Sequence, residues 1–248
     1  MSAVRALSEL LEESECIVAF TGAGISTESG IPDFRGKDGI WTKVQPIDFQ
    51  DFISSAEIRR ESWRRKTAFD HVMNQAVPND GHNALKTLYD RGKLKRVVTQ
   101  NVDSLHQASG VPAEHVIELH GNATYAACLS CQKRYELKPI IAAFRERDEL
   151  PVCDCGGIIK TATISFGQPM PEQELSAAED WARKANLLLV LGTSLVVYPA
   201  AMLPRLTKQA GGRLAILNRD PTDYDAIADL VLHEEIGPTL SAAVADVS

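Results

Sequence analysis

A chain of 248 residues is long enough for one full-sized α/β domain, or for a domain with a small satellite. Its make-up, 44% hydrophobic and 24% charged, is that of an ordinary globular protein. A net charge of −7 gives no support to nucleic acid or an anionic membrane as the main partner. The basic run Arg59, Arg60, Arg64, Arg65 and Lys66 is most simply a solvated helix face. No basic-then-apolar leader and no apolar run of spanning length is found, so a cytoplasmic location is expected, or the nucleus if the source is eukaryotic.

In chain order, Val4, Leu7, Leu10 and Leu11 share one face of a helix expected over Ser2–Glu13. The run Cys16-Ile-Val-Ala-Phe20 reads as a short buried strand, with Cys16 a small core hydrophobe. It leads directly into Gly22-Ala23-Gly24. Two glycines let a backbone turn tightly and bring main-chain N–H groups up to an anion. A dinucleotide fingerprint would place a third glycine at position 27, where Thr27 stands, and an acidic residue after a second strand about twenty residues on. Neither is present. Instead comes Gly30-Ile31-Pro32-Asp33-Phe34-Arg35-Gly36, rigid and polar, which looks built to hold a dinucleotide and also to act on it.

Residues 36–77 are polar and mostly helical, with Trp41, Phe49, Phe52, Trp63 and Phe69 as anchors. Helices expected at Gly81–Asp90, Glu172–Ala185 and Ala200–Gln209 separate buried strands at Leu94–Thr99, Leu187–Leu191 and Leu214–Leu217. Val116–Leu119 and Leu230–Leu232 are weaker strand signals. The alternation predicts an α/β fold, a Rossmann-like parallel sheet with helices on both faces. Two segments interrupt it, a helical insertion at 36–77 and a cysteine-bearing module at 123–160. The core is then 1–35, 78–122 and 161–248.

After the second strand come Gln100, Asn101, Val102 and Asp103. Open α/β sheets bind ligands at the carboxyl ends of their strands, so these side chains are expected in the crevice beside the glycine loop. Amides there suit ribose hydroxyls or a carboxamide, although Asn101 or Asp103 could equally cap the next helix. Of the six histidines, His120, in Glu118-Leu119-His120-Gly121, is the best candidate for acid–base work, although a histidine taken alone is more often structural. Gly192-Thr193-Ser194 and Asn218 each close a strand and either line the far side of the crevice or are ordinary turn residues. Cys128-x2-Cys131 followed by Cys153-x-Cys155 predicts a structural zinc site, because soft anionic thiolates form a closed four-ligand shell. The second pair is one residue short of the usual spacing, and Gly156-Gly157 gives its backbone room to compensate.

Taken together, these residues resemble the sirtuin family from Gly22 to about Leu232. The motifs are Gly22-Ala-Gly-Ile-Ser26, Gly30-Ile-Pro-Asp-Phe-Arg35, Pro78-Asn79 with Gly81-His82, Gln100-Asn-Val-Asp103, Leu119-His-Gly121, the four cysteines, Phe166-Gly167, Gly192-Thr-Ser194 and Asn218. The stretch Asp33–Thr42 looks most like the branch holding the chromatin-linked sirtuins and some bacterial relatives. The resemblance implies an NAD-dependent protein-lysine deacylase that consumes NAD, releases nicotinamide and forms O-acyl-ADP-ribose. It implies His120 as the base, and Asn101 and Asp103 holding the ribose, a water and the nicotinamide carboxamide. Gly22, Ala23, Gly24 and Arg35 would bind the diphosphate, with Thr27 and Phe34 beside them and Asp33 bracing the nicotinamide pocket. Gln100, Val102, Gly192, Thr193, Ser194 and Asn218 complete the expected NAD contacts. The acylated-lysine peptide would pair with Ile164, Ser165, Phe166 and Gly167. No membrane is implied, and nucleic acid only indirectly through a chromatin substrate.

Departures bear on substrate choice. Where most deacetylases of the family carry Pro-x-Val-x-Phe-Gly-Glu, this chain has Thr161-Ala-Thr-Ile-Ser-Phe-Gly-Gln168. Desuccinylating members carry a Tyr-x-x-Arg pair whose nearest counterpart here is Trp63-Arg-Arg-Lys66, so removal of acidic acyl groups is not expected. An ADP-ribosyltransferase using the same pocket, and a non-enzymatic NAD-sensing or zinc-scaffold protein, are the alternatives.

Overall fold

The computed structural model describes residues 3–37 and 39–247, so Ser2 at the start of the first expected helix and Asp38 in the polar stretch lie outside the described residues. Among these are strands β1 (Ile17–Thr21), β2 (Leu94–Thr99), β3 (Val116–Glu118), β4 (Gly121–Cys128), β5 (Arg134–Glu136), β6 (Ile159–Thr163), β7 (Leu187–Leu191), β8 (Arg213–Leu217) and β9 (Leu230–Leu232). Helices are α1 (Ala3–Glu12), α2 (Phe49–Ser54), α3 (Ala56–Gln75), α4 (Asp80–Asp90), α5 (Leu105–Ala108), α6 (Leu137–Arg147), α7 (Glu172–Lys184), α8 (Leu203–Gln209) and α9 (Ile236–Ala245).

Six strands form one parallel sheet in the order β3-β2-β1-β7-β8-β9. Counted within this sheet alone, the order is the one that doubly wound dinucleotide folds use. It reverses between β1 and β7. These central strands are continuous apolar runs because both faces are covered. Successive side chains alternate between the faces. Ile17, Ala19, Leu187, Leu189 and Leu191 meet α1, α4 and α9 through Leu7, Leu11, Leu85, Leu88 and Leu240. Val18, Phe20, Leu188 and Val190 meet α7 and α8 through Ala178, Ala182 and Leu203.

The expected alternation is therefore present, with local differences. Cys16 is only half-buried and stands just before β1, its carbonyl accepting from the Asn186 N–H, so it is not a core residue. The expected helix over 200–209 opens as a 3-10 turn at Ala200–Met202, and Pro204 then sits in the first turn of α8, where no N–H is needed. The C-terminal helix α9 has no counterpart among the expected elements, because Gly237-Pro238 in its first turn resembles a turn signal.

A second, antiparallel sheet, β5-β4-β6, lies with α2, α3 and α6 outside the main sheet. Its core joins Trp63 of α3 to Ala126, Leu137, Ile141, Phe144 and Ile159. Of the expected anchors, Trp63 and Phe52 are buried, while Trp41, Phe49 and Phe69 are half-buried. The basic run is a charge-paired surface of α3: Arg64 and Arg60 meet Glu57 and Asp148, Arg65 meets Glu61, and Lys66 meets Asp70. Arg59 instead donates to the Phe52 and Ile53 carbonyls.

Trp63 is 2% exposed and links α3 to the smaller sheet. Trp63→Ala should cost about 3–5 kcal/mol through the cavity it leaves, read by urea unfolding. A loss below about 1 kcal/mol would mean that the two parts do not share a core.

Candidate active site

The glycine loop leaves β1 at the point where strand order reverses and presses against the loop leaving β7. Gly22 N–H donates to the Leu191 carbonyl at 3.0 Å, and Gly24 N–H to the Gly192 carbonyl at 2.8 Å. A Cβ on Gly22 would lie 2.6 Å from the Thr193 Cβ, and one on Gly24 would lie 2.6 Å from the Gly192 Cα. Both glycines are thus demanded by strand-end packing, and their own N–H groups are occupied. The main-chain N–H groups left for an anion at this loop are therefore not those of the two glycines themselves. Thr27 takes the place of a third glycine by returning its hydroxyl to the Gly24 carbonyl at 2.9 Å, which tightens a 3-10 segment.

Above these loops opens a cleft of about 640 Å³, within the range typical of small-molecule sites. Gly22, Ala23, Gly24 and Thr27 line it with Asp33, Phe34 and Arg35. Gln100, Asn101, Val102 and His120 line it from the β2 and β3 ends, and Gly192, Thr193, Ser194 and Asn218 from the other side. Gln100 spans the floor, donating from Nε2 to the Thr193 hydroxyl at 2.9 Å. Asn101, 6% exposed, donates from Nδ2 to the Gly22 carbonyl and to the Ser26 hydroxyl, both at 3.1 Å. The Asn218 amide donates to the Asp220 carbonyl at 2.6 Å.

Asp103 does not line the cleft. It sits one layer behind, where Oδ2 accepts from Ser26 Oγ at 2.7 Å and Oδ1 accepts from the Leu105 N–H of α5 at 2.9 Å. Asp103 is thus neither in the lining nor the N-cap of α5, which is Ser104; it ties the start of that helix to Ser26 behind the site. Ser26, 1% exposed, is the hub joining Asp103 to Asn101. It was visible in the sequence only as part of a motif, since nothing local marks a serine as a hub.

His120 is the histidine that lines the cleft. Its Nδ1 stands 3.0 Å from the Gln100 carbonyl, which can only accept, so Nδ1 carries the proton and Nε2 keeps a lone pair. Burial lowers its pKa; the Gln100 hydrogen bond opposes that, and nearby Arg35 adds to the lowering. By contrast His106, on the far side of β1, is fully buried, bonds Thr21 Oγ1 at 2.9 Å and is pushed down to about 3 by burial.

The polar segment after the glycine loop folds back as a flap. Asp33 Oδ1 accepts from the Gly36 N–H at 2.8 Å, and its other oxygen meets Arg219 at 3.5 Å. The Arg35 guanidinium lies 4.1 Å over the Trp41 ring, and burial lowers its pKa. Phe34, Trp41 and Phe166 follow one another at ring separations of 5.1 and 5.3 Å. The flap thus rests on the lip formed by Ile164, Ser165, Phe166 and Gly167, which all line the cleft. Ile164 N–H donates to the His120 carbonyl at 2.8 Å, and the Phe166 carbonyl accepts from Phe49 N–H at 2.8 Å. Gln168 Oε1 accepts from the Ser165 N–H at 3.2 Å, a bond that a carboxylate in its place would also make.

Where the cleft passes α3, it is lined by Ser62 and Arg65, not by Trp63 and Lys66. Trp63 points into the core, so the three-residue spacing that faces the cleft starts one residue earlier than expected. Arg65 is already held, by Glu61 at 2.7 Å and by the Gln45 carbonyl at 2.7 Å. Arg219, Tyr198 and Ile236 also line the cleft and carried no sequence signal.

The four cysteines stand apart from the cleft. Their sulfurs lie within 4.8 Å of one another, with Cys128–Cys155 at 3.6 Å and Cys131–Cys153 at 3.5 Å. Thiolates bound at about 2.3 Å in a tetrahedral zinc shell stand about 3.8 Å apart, so the set fits. The shortened Cys153-x-Cys155 pair closes because Gly156 adopts φ 81° and the turn is tied by Gly156 N–H to the Cys153 carbonyl at 2.8 Å. A Cβ on Gly157 would lie 2.6 Å from Cys128 Sγ.

The Sir2 family profile matches residues 22–199. The chain belongs to the Sir2, or sirtuin, family. It is 52% identical over 244 residues, covering 98% of this chain and 96% of the relative, to a Bradyrhizobium diazoefficiens protein named NAD-dependent protein deacetylase 1. It is 45% identical to an NAD-dependent protein deacetylase of Thermodesulfovibrio yellowstonii, over 94% of this chain and 90% of that one. Among solved structures, a Sir2 histidine-to-alanine variant with a deacetylated p53 peptide and 3′-O-acetyl ADP-ribose superposes at a TM-score of 0.90, with 37% identity and full coverage of both chains. A Sir2–p53 peptide–NAD+ structure gives 0.86 at 38% identity, covering 97% and 96%.

As in any closed thiolate shell, the small sheet of this sirtuin should depend on its metal. Elemental analysis should find one zinc per chain, and Cys131→Ser should lose the zinc and lower the melting temperature. A metal-free wild type with an unchanged melting temperature would contradict this.

Proposed function

We propose that this sirtuin is an NAD-dependent protein-lysine deacetylase that transfers the acyl group to ADP-ribose. The observation that carries the reading is His120. Its Nδ1 proton is tied to the Gln100 carbonyl, leaving Nε2 as a base in a cleft at the switch point of a dinucleotide-type sheet. The relatives named as NAD-dependent deacetylases, and the Sir2 structures holding peptide with NAD+ or acetyl ADP-ribose, support the same chemistry.

In this reading Ala23, the glycine loop and Arg35 hold the NAD diphosphate, Gly192–Ser194 and Asn218 take the adenosine side, and Gln100 and Val102 border a ribose. Asn101, backed by Ser26 and Asp103, faces the nicotinamide end. The amide oxygen of the acyl-lysine bonds to the ribose carbon as the bond to nicotinamide breaks, and the electron pair leaves on nicotinamide. His120 Nε2 then takes the proton of a ribose hydroxyl, whose oxygen attacks the imidate carbon. Water completes release of the free lysine and O-acyl-ADP-ribose. The peptide lies along Ile164–Gly167, between the main sheet and the smaller one. The working unit is one catalytic domain built from the core at 1–35, 78–122 and 161–248, the helical insertion at 36–77 and the zinc module at 123–160.

Among the described residues, no helix is long and apolar enough to cross a membrane. We place the protein in the cytoplasm, where NAD is available and thiolates stay reduced.

Labelled NAD incubated with an acetyl-lysine peptide should place its label on a small molecule, and label retained covalently on protein would favour ADP-ribosyl transfer instead. His120→Ala should lower deacetylation by about 10²–10⁴-fold. His120 works as the neutral base and its pKa is lowered, so kcat/KM should be flat through neutrality and fall only below the ordinary histidine value. An acidic limb above pH ~7 would contradict a base with a lowered pKa. Arg65 is already engaged by Glu61 and Gln45, so a succinyl-lysine peptide should react more slowly than its acetyl counterpart. The reverse order, in a competition of the two peptides, would overturn that.

A further inference from the structure

Asn122, 6% exposed, lies outside the cleft lining yet uses its whole amide. Its Nδ2 donates to Ser104 Oγ at 2.7 Å and to Glu118 Oε1 at 2.9 Å. Its Oδ1 accepts from the Thr124 N–H at 2.8 Å and from the Thr124 hydroxyl at 2.6 Å, which fixes which end of the amide points where. Glu118 ends β3 two residues before His120, and its oxygen also accepts from Gln107 Nε2 at 2.8 Å. Ser104 directly follows Asp103 and holds φ 60°, ψ 19°, a left-handed conformation that is unfavourable for a residue with a Cβ. The neighbouring backbone is fastened the same way, with Ala123 N–H donating to the Val102 carbonyl at 2.8 Å. One buried amide therefore joins the loop carrying Asn101 and Asp103 to the strand end carrying His120.

We infer that Asn122 is a positioning residue: it holds Ser104 left-handed, so that the Asp103 carboxylate stays on Ser26 and Asn101 stays aimed at the nicotinamide end of the cleft. The inference rests on the deacetylase reading for its kinetic consequence, but its structural consequence stands apart from it. Without the Nδ2 donors, Ser104 relaxes toward negative φ, and Asp103 swings off Ser26. Asn122 touches neither substrate, so peptide KM stays as in the wild type while kcat falls.

Two sets of variants test this. In Asn122→Ala, kcat for deacetylation should fall about a hundredfold, as a misplaced catalytic group does, with peptide KM unchanged. Adding Ser104→Gly should restore most of it, because glycine adopts positive φ without a brace. Should Asn122→Ala fold poorly, Ser104→Ala and Ser104→Gly alone give the same answer. Both lack the hydroxyl, but only the alanine variant should lose activity. Equal activities for those two, or no rescue in a double variant that melts like the wild type, would overturn the inference. A crystal structure of Asn122→Ala keeps it separable from the reading above. Ser104 at negative φ with Asp103 off Ser26 supports the inference even if the wild type proves inactive on acetyl-lysine. Both residues unmoved would refute it.

Discussion

The contact on which the site depends is the close approach of two strand-end loops at the centre of the sheet. Gly22 and Gly24 after β1 meet Leu191, Gly192 and Thr193 at the end of β7, with Gly22 N–H to Leu191 O at 3.0 Å and Gly24 N–H to Gly192 O at 2.8 Å, an approach too close for a Cβ on either glycine. Gly192 holds φ 63°, and a Cβ there would lie 2.5 Å from the Ile25 nitrogen. The contact joins adjacent central strands at the point where strand order reverses, and the chain leaves β1 and β7 for helices on opposite faces, so a cleft opens above. Asn101 is anchored to this junction through the Gly22 carbonyl, and Gln100 through the Thr193 hydroxyl. Groups of opposite walls are thus fixed relative to one another by the same few atoms.

Much of this was legible in the sequence because it is written in apolar runs and small residues. The six strands of the main sheet, their alternation with helices and the ring of strand-end residues follow from periodicity and from where each run stops. The zinc set was legible because four of five cysteines fall in one segment. What escaped depends on long-range packing. Ser26 as a hub, Arg219 against Asp33 and Ile236 at the cleft come from positions far apart in the chain. The α3 pair facing the cleft lies one residue before Trp63 and Lys66, because helical rotation there is set by Trp63 entering the second core, which no local pattern reveals. The roles of Gly22 and Gly24 were legible as a need for glycine, but its cause, packing against β7, was not.

The flap connects the two halves of the cleft. Arg35 on Trp41, and Trp41 against Phe166, join the segment expected over the diphosphate to the lip expected beside the peptide. A hydride-transfer enzyme must return its dinucleotide intact, and needs no base beside the ribose. Here a half-buried imidazole with a free Nε2 sits beside the glycine loop. In the proposed reaction, that juxtaposition, more than the loop itself, accounts for NAD as a consumed substrate.

The most direct test follows one oxygen. A peptide carrying ¹⁸O in the acetyl-lysine amide, incubated with the protein and NAD, should deliver that label to the ribose carbon of ADP-ribose, because the amide oxygen displaces nicotinamide. Label appearing only in acetate, with the ADP-ribose unlabelled, would mean that water cleaves the amide directly, and would contradict the account.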